Sequence, residues 1–192
     1  MVDFPSHDDV CGAIEEHIGR FFTGRDIKPF PWTAGPLANV NPHFHVLRIG
    51  PREPNGLWDY VTVGAWAATN DADPGLEFVL STPIDDPRAI ELLALVVFYH
   101  HDRRLTLGDT CAIGQPWLPG SSCDHLLVSL PYQHGPDLQV CHVGDRHIDL
   151  LWLLPITRAE RDLRNTHGQE ALEQRFDEAG LQYWDIHRAS LA

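Results

Sequence analysis

The sequence predicts an α+β domain with a mixed, mostly antiparallel sheet packed against helices. Three observations carry this. Apolar residues alternate in short runs, as they do in strands buried on one side. The runs come in two groups, three before and four after one long apolar helical segment, instead of alternating with helices one by one. Short turns rich in Gly, Pro and Asp separate them.

The elements follow in order. Ser6 to Phe22 reads as a helix, with Ser6 as N-cap, Asp9 three residues on, and Val10, Ile14, Ile18 and Phe21 on one stripe. Gly24 ends it. Residues 29–42 carry Pro29, Pro31, Pro36 and Pro42 and read as an extended loop. Strands are expected at His43–Ile49, Leu57–Trp66 and Leu76–Ser81, with turns at Arg52–Gly56 and Asn70–Gly75. Asp86 suits an N-cap and Pro87 a first helical position. Ala89–Tyr99 is then apolar nearly all round and reads as a buried central helix. Four more strands are expected at Leu105–Ile113, His125–Leu130, Leu138–Val143 and His147–Leu154, the later ones joined by hairpin-like turns. Thr157 with Glu160 forms a capping box, and Glu160–Arg164 is a supporting ion pair. Gly168 interrupts, and a last helix through Leu172 and Phe176 ends at Gly180. The aromatic tail after Leu181 is expected to pack down.

The chain has 192 residues, 43% apolar and 21% charged, which suits one core and one domain over residues 1–192. Lys plus Arg is 14 against 27 Asp plus Glu, a net charge of −13, and Lys28 is the one lysine. Such a chain repels nucleic-acid phosphates and anionic membranes. It attracts a basic protein partner. Residues 1–9 have neither the basic nor the apolar region of a signal peptide, so a cytoplasmic protein is expected. Cys11, Cys111, Cys123 and Cys141 form no Cys-x-x-Cys pair and read as reduced, mostly buried thiols.

Several patterns line up in order: Trp58-Asp59-Tyr60-Val61-Thr62-Val63-Gly64, Leu76-Glu77-Phe78-Val79-Leu80, Leu107-Gly108-Asp109-Thr110, His125-Leu126-Leu127-Val128, and Leu151-Trp152-Leu153-Leu154-Pro155-Ile156-Thr157 running on to Glu160. Together they resemble the Suppressor of fused (Sufu-like) domain family over roughly residues 25–180. The resemblance implies protein binding, not catalysis. In animals the family clamps transcription factors between two lobes, with a peptide held as an added strand. Bacterial members are stand-alone, and many look like immunity proteins of polymorphic toxin systems. This chain matches the single-lobe form.

The candidate chemistry is sparse. His43 and His45 share a strand face and could serve zinc, with His125, Cys123 or Cys141 as a third ligand. No metal-binding motif is present, and no metal is expected. Cys123 lies close to His125 in sequence, the ingredients of a cysteine nucleophile, but spatial geometry decides that. With Glu77 they define a hydrolase or transferase alternative, and no catalytic residue is assigned. No phosphate-cradling glycine loop appears, so no cofactor is expected. Glu77 alternates with apolar neighbours. It faces solvent, or it lies in a polar pocket paired with Arg48, His43 or His45. Trp32 and Trp117 sit in proline-rich loops, where each ring anchors a partner or folds back over the core. Trp32, Trp117, Glu77, His43 and His45 are therefore the candidate partner-binding residues. The expected partner is a protein, a basic toxin domain in the leading reading. A scaffold that binds its partner by strand addition at a sheet edge is the other non-catalytic reading.

Overall fold

The computed structural model describes residues 6–69 and 74–192. Helix α1 (His7–Phe21) opens with the expected capping box between Ser6 and Asp9 and buries Val10, Ile14 and Ile18. The proline-rich stretch after it is more ordered than a loop. It contains strand β1 (Ile27–Pro31) and the short helix α2 (Gly35–Val40). An edge strand is where a sheet tolerates proline, and β1 has one neighbour, β2 (His45–Ile49). Strands β3 (Trp58–Val63) and β4 (Gly75–Thr82) continue the antiparallel series. β3 stops at Val63 and not at Trp66. Gly64, at φ +97°, turns the chain into a 3-10 helix, Ala65–Thr69. The expected turn at 70–75 lies largely outside the described residues.

Helix α3 (Arg88–Arg103) starts where Asp86 and Pro87 signalled, with the Asp86 carboxylate accepting the Arg88 N–H at 2.9 Å. It is not buried all round. Leu92, Leu93, Val96 and Val97 are buried, whereas Leu95 and Phe98 are exposed, because the helix covers one face of the sheet and shows its other side to solvent. Strand β5 (Thr110–Ala112) is shorter than expected. Asp109 accepts the Thr106 N–H and hydroxyl, closing a turn where the strand was read. β6 (His125–Ser129) follows. Leu138 and Gln139 belong to a helical turn, α4 (Pro136–Gln139), started by its N-terminal proline, and β7 (Val140–Val143) begins after it. β8 (Arg146–Ile156) then leads into α5 (Arg158–His167) and α6 (Gln169–Ala179).

The sheet runs β1-β2-β3-β4-β8-β6-β5, with β7 also paired to β8. Each pairing is antiparallel except β4–β8, at the centre. A parallel pair buried on both faces needs apolar side chains on both, which is why Leu150 to Leu154 reads as an unbroken apolar run. Successive β8 residues supply different cores. Leu151 and Leu153 pack in the cluster with α3. Leu150 packs with α1, and Trp152 and Leu154 pack with Leu172 and Phe176 of α6. Helix α3 thus covers one face, and α1 and α6 share the other.

Glu77 ties β3, β4 and the 3-10 helix together. It is fully buried and accepts hydrogen bonds from the Thr62 hydroxyl and from the backbone N–H groups of Gly64, Ala65 and Trp66. The Thr62-Val63-Gly64 and Leu76-Glu77-Phe78 patterns are therefore two halves of one unit. Both readings of Glu77 are corrected: it does not face solvent, and in its buried site backbone amides and Thr62 stand where Arg48, His43 or His45 was expected. Burial pushes its carboxyl up to about 8, against the pull of the four donors. Glu77→Ala leaves those donors unsatisfied and is expected to cost about 3 kcal/mol or more. The raised value favours the protonated acid in the fold. Its contribution is complete below the ordinary range near 4.5 and is lost as pH rises through about 8. Urea unfolding from about pH 5 to about pH 9 is expected to show wild type losing stability relative to Glu77→Gln, which cannot ionise.

Candidate functional site

On the face that α1 and α6 share, an open groove of about 700 Å³ runs between the sheet and α6. Its floor is a tile of cross-strand neighbours, Leu127 opposite Leu154 and Ser129 opposite Trp152, which strand alternation points to one side. Phe176 of α6 forms one wall. Leu181 and Tyr183 of the tail form another, with Tyr183 edge-on to Trp152 at 4.8 Å between centroids. The lip carries Tyr132, 63% exposed, and two carboxylates one helical turn apart, Glu173 and Asp177. Trp152 is 4% exposed, and among the described residues neither its indole N–H nor the buried amide oxygen of Gln133 has a hydrogen-bond partner. Both atoms are shut off from solvent, so each is a local cost that the fold carries at the groove's floor and end.

Beyond Gln133 and Tyr183 the groove continues into a shallower pocket of about 320 Å³ lined by Arg25, Arg52, Asp59 and His134. Asp59 is buried and receives Arg25 Nη1 at 2.7 Å, His134 Nε2 at 3.2 Å and the Ser81 hydroxyl at 2.5 Å. Gln133 in turn donates to Ser81. Burial pushes the Asp59 carboxyl up, but the His134 hydrogen bond and charge, Ser81 and Arg25 outweigh it and hold it below the usual range. The charge is satisfied internally, so this network braces the groove's end.

The tail wall is fixed by a second buried ion pair. Arg188 reaches both Glu160 carboxylate oxygens, at 2.6 and 2.8 Å, and the Pro155 carbonyl at 2.9 Å. Glu160 also closes the expected capping box with Thr157 and accepts the Leu191 N–H at 3.0 Å. Its expected partner Arg164 bonds Asn165 instead, since Glu160 turns into the protein and not along the helix surface. Burial pushes Glu160 up, but the Arg188 hydrogen bonds and charge, with the two amides, hold it below the ordinary carboxylate range.

The sequence candidates do not converge here. Trp117 is 1% exposed and donates its N–H to Ser121; it is core, not a partner anchor, because its loop folds back and is held by Arg88 on the Pro116 and Trp117 carbonyls. Trp32 is half-buried against the same cluster. His45 pairs with Glu15 at 3.0 Å, and His43 is exposed with its ring near His7. Cys123 is buried, burial pushes its thiol up, and His125 bonds Asp124 at 2.7 Å. An unactivated thiol beside an imidazole engaged elsewhere is not the geometry of a nucleophile. Strand addition also meets an obstacle. The Trp32 N–H donates to the carbonyl of Phe44, the residue before β2, so alternation points Pro29 and Pro31 outward, where they offer carbonyls but no N–H.

Fold and site together define a small α+β domain with an apolar, acid-lipped groove on one sheet face. The family pattern described as Suppressor of fused protein (SUFU) matches residues 41–189. A suppressor of fused homolog from Neisseria gonorrhoeae is 37% identical, over 96% of this chain and 98% of that one, with a TM-score of 0.86. The chain belongs to the Suppressor of fused protein family. The fold is shared at lower identity by a Sufu chain crystallised in a Sufu–Fu complex (13%, covering 95% of this chain and 92% of that one, TM-score 0.68). It is shared also by Drosophila Suppressor of Fused (14%, TM-score 0.67), where this chain covers 51% of that chain's length and 95% of its own. No curated protein matches the chain.

Removing one member of a buried ion pair strands the other. Arg188→Ala is expected to cost about 3–5 kcal/mol or to free the tail locally. Hydrogen exchange is the check: amides of residues 181–192 should lose protection before those of β4 and β8.

Proposed function

We propose that this chain is a non-catalytic protein-binding domain that receives a basic segment of its partner in the groove between β6, β8 and α6. We further propose that it serves in the cytoplasm as an immunity protein masking a basic toxin domain. One observation carries the reading: an apolar floor, the exposed Tyr132 ring and the Glu173–Asp177 lip lie in one groove. An apolar anchor flanked by Lys or Arg fits that combination. The net charge of −13 would steer such a partner inward. Nuclease toxins need a basic surface for nucleic acid, and an acidic inhibitor covers it. Use of the fold in a Sufu–Fu complex supports protein binding. Four free, buried cysteines suit a reducing compartment.

The test is co-expression with the product of the adjacent gene. A stable complex and rescued growth are expected. Glu173→Lys with Asp177→Lys should slow association by about tenfold or more and flatten its salt dependence, leaving thermal unfolding unchanged. Tyr132→Ala should cost about 2 kcal/mol of binding. A complex formed at wild-type rate and affinity by these variants would place the interface elsewhere, and absence of any complex removes the immunity reading.

A further inference from the structure

Where α1 begins and the chain enters β2, a second cluster lies apart from the groove's lining. His7, Asp8 and His43 bring an imidazole nitrogen each and a carboxylate oxygen within 4.8 Å of one another. The two rings sit 4.9 Å apart between centroids. His7 is held from two further sides, by the Trp66 ring at 5.1 Å and by Cys11, whose sulfur lies 3.5 Å from its Nδ1. Asp8 and His43 are exposed and free to adjust. The backbone beneath them is fixed by the Ser6–Asp9 capping box on one side and by the Phe44 carbonyl bond from Trp32 on the other.

We propose that His7, Asp8 and His43 form a binding site for a divalent transition-metal ion of the zinc class, with a fourth position open to water. The donor set decides the metal. Two imidazoles and one carboxylate suit Zn(II), whereas Mg(II) and Ca(II) favour all-oxygen sets. Tetrahedral zinc with bonds near 2.0–2.2 Å needs donor atoms about 3.3 Å apart. Side-chain rotation of Asp8 and His43 closes that gap without moving backbone. Cys11, buried with its sulfur 3.5 Å from His7 Nδ1, lies outside the cluster and orients the His7 ring. A bound ion would pin the first turn of α1 to the entry of β2, so loading reads out as stability. The proposal departs from the sequence expectation of no metal. Its second histidine comes from a helix 36 residues earlier in the chain than His43 and not from His45, which Glu15 occupies.

The test is calorimetric titration of the metal-stripped full chain with Zn(II) at neutral pH. Saturable uptake of one ion and a raised melting temperature are expected. His43→Ala, at an exposed position that the core does not use, should weaken uptake about tenfold or more and abolish the stabilisation, and Asp8→Asn should weaken it too. A His142→Ala control, changing an exposed histidine on β7, should bind as wild type does. No saturable uptake up to about 1 mM, or equal uptake by His43→Ala with its fold verified by circular dichroism, overturns the proposal.

Discussion

Burying β8 from both faces is the constraint on which the rest of the structure depends. Eleven residues long, it pairs in parallel with β4 along one edge, while β7 and then β6 take the other. A strand so placed must be apolar on both sides and needs helices above and below. Helix α3 supplies one layer. The opposite layer is divided between α1 and α6, and the groove is the space their division leaves. Trp152 is there because strand alternation turns it toward α6 while Leu151 and Leu153 face α3.

The end of β8 makes the groove a defined shape. Its exit, Pro155-Ile156-Thr157, delivers Glu160 into the interior, where one carboxylate caps α5 and receives Arg188. Two charges left in a low-dielectric site without each other are costly, so the tail cannot leave cheaply. Tyr183 is thereby held against Trp152. The acids of the lip stay nearer solvent: Asp177 is exposed, and Glu173 is half-buried and accepts from the Gln169 amide at 2.7 Å.

The fold was legible in the sequence where periodicity and capping speak locally. The Ser6–Asp9 and Thr157–Glu160 boxes, the start of α3 at Asp86-Pro87, and strands β2, β3, β4, β6 and β8 follow from such signals. β1 escaped because its prolines resemble a loop, and only the edge position, a tertiary fact, allows them. β5 shrank because Asp109 closes a turn inside an apolar run. The family motifs were recognisable before their physics was: Thr62, Gly64 and Glu77 act together only once β3 and β4 pair. The groove was not legible at all. Trp152 reads as core in any strand pattern, and Arg25 and Arg188 look like ordinary surface arginines until their distant partners, Asp59 and Glu160, appear beside them. Trp117 misled because a proline-rich loop suggests exposure, whereas Arg88 fastens that loop over the core.

Trp152 offers the most direct measurement. Its indole N–H gives its own proton–nitrogen resonance, assignable by its loss in Trp152→Phe. On addition of the purified partner, that resonance is expected to shift as the groove that Trp152 lines is covered, while the resonance of Trp117, bonded to Ser121, stays in place. A complex in which the Trp152 indole signal is unchanged would contradict the assignment of this groove as the binding surface.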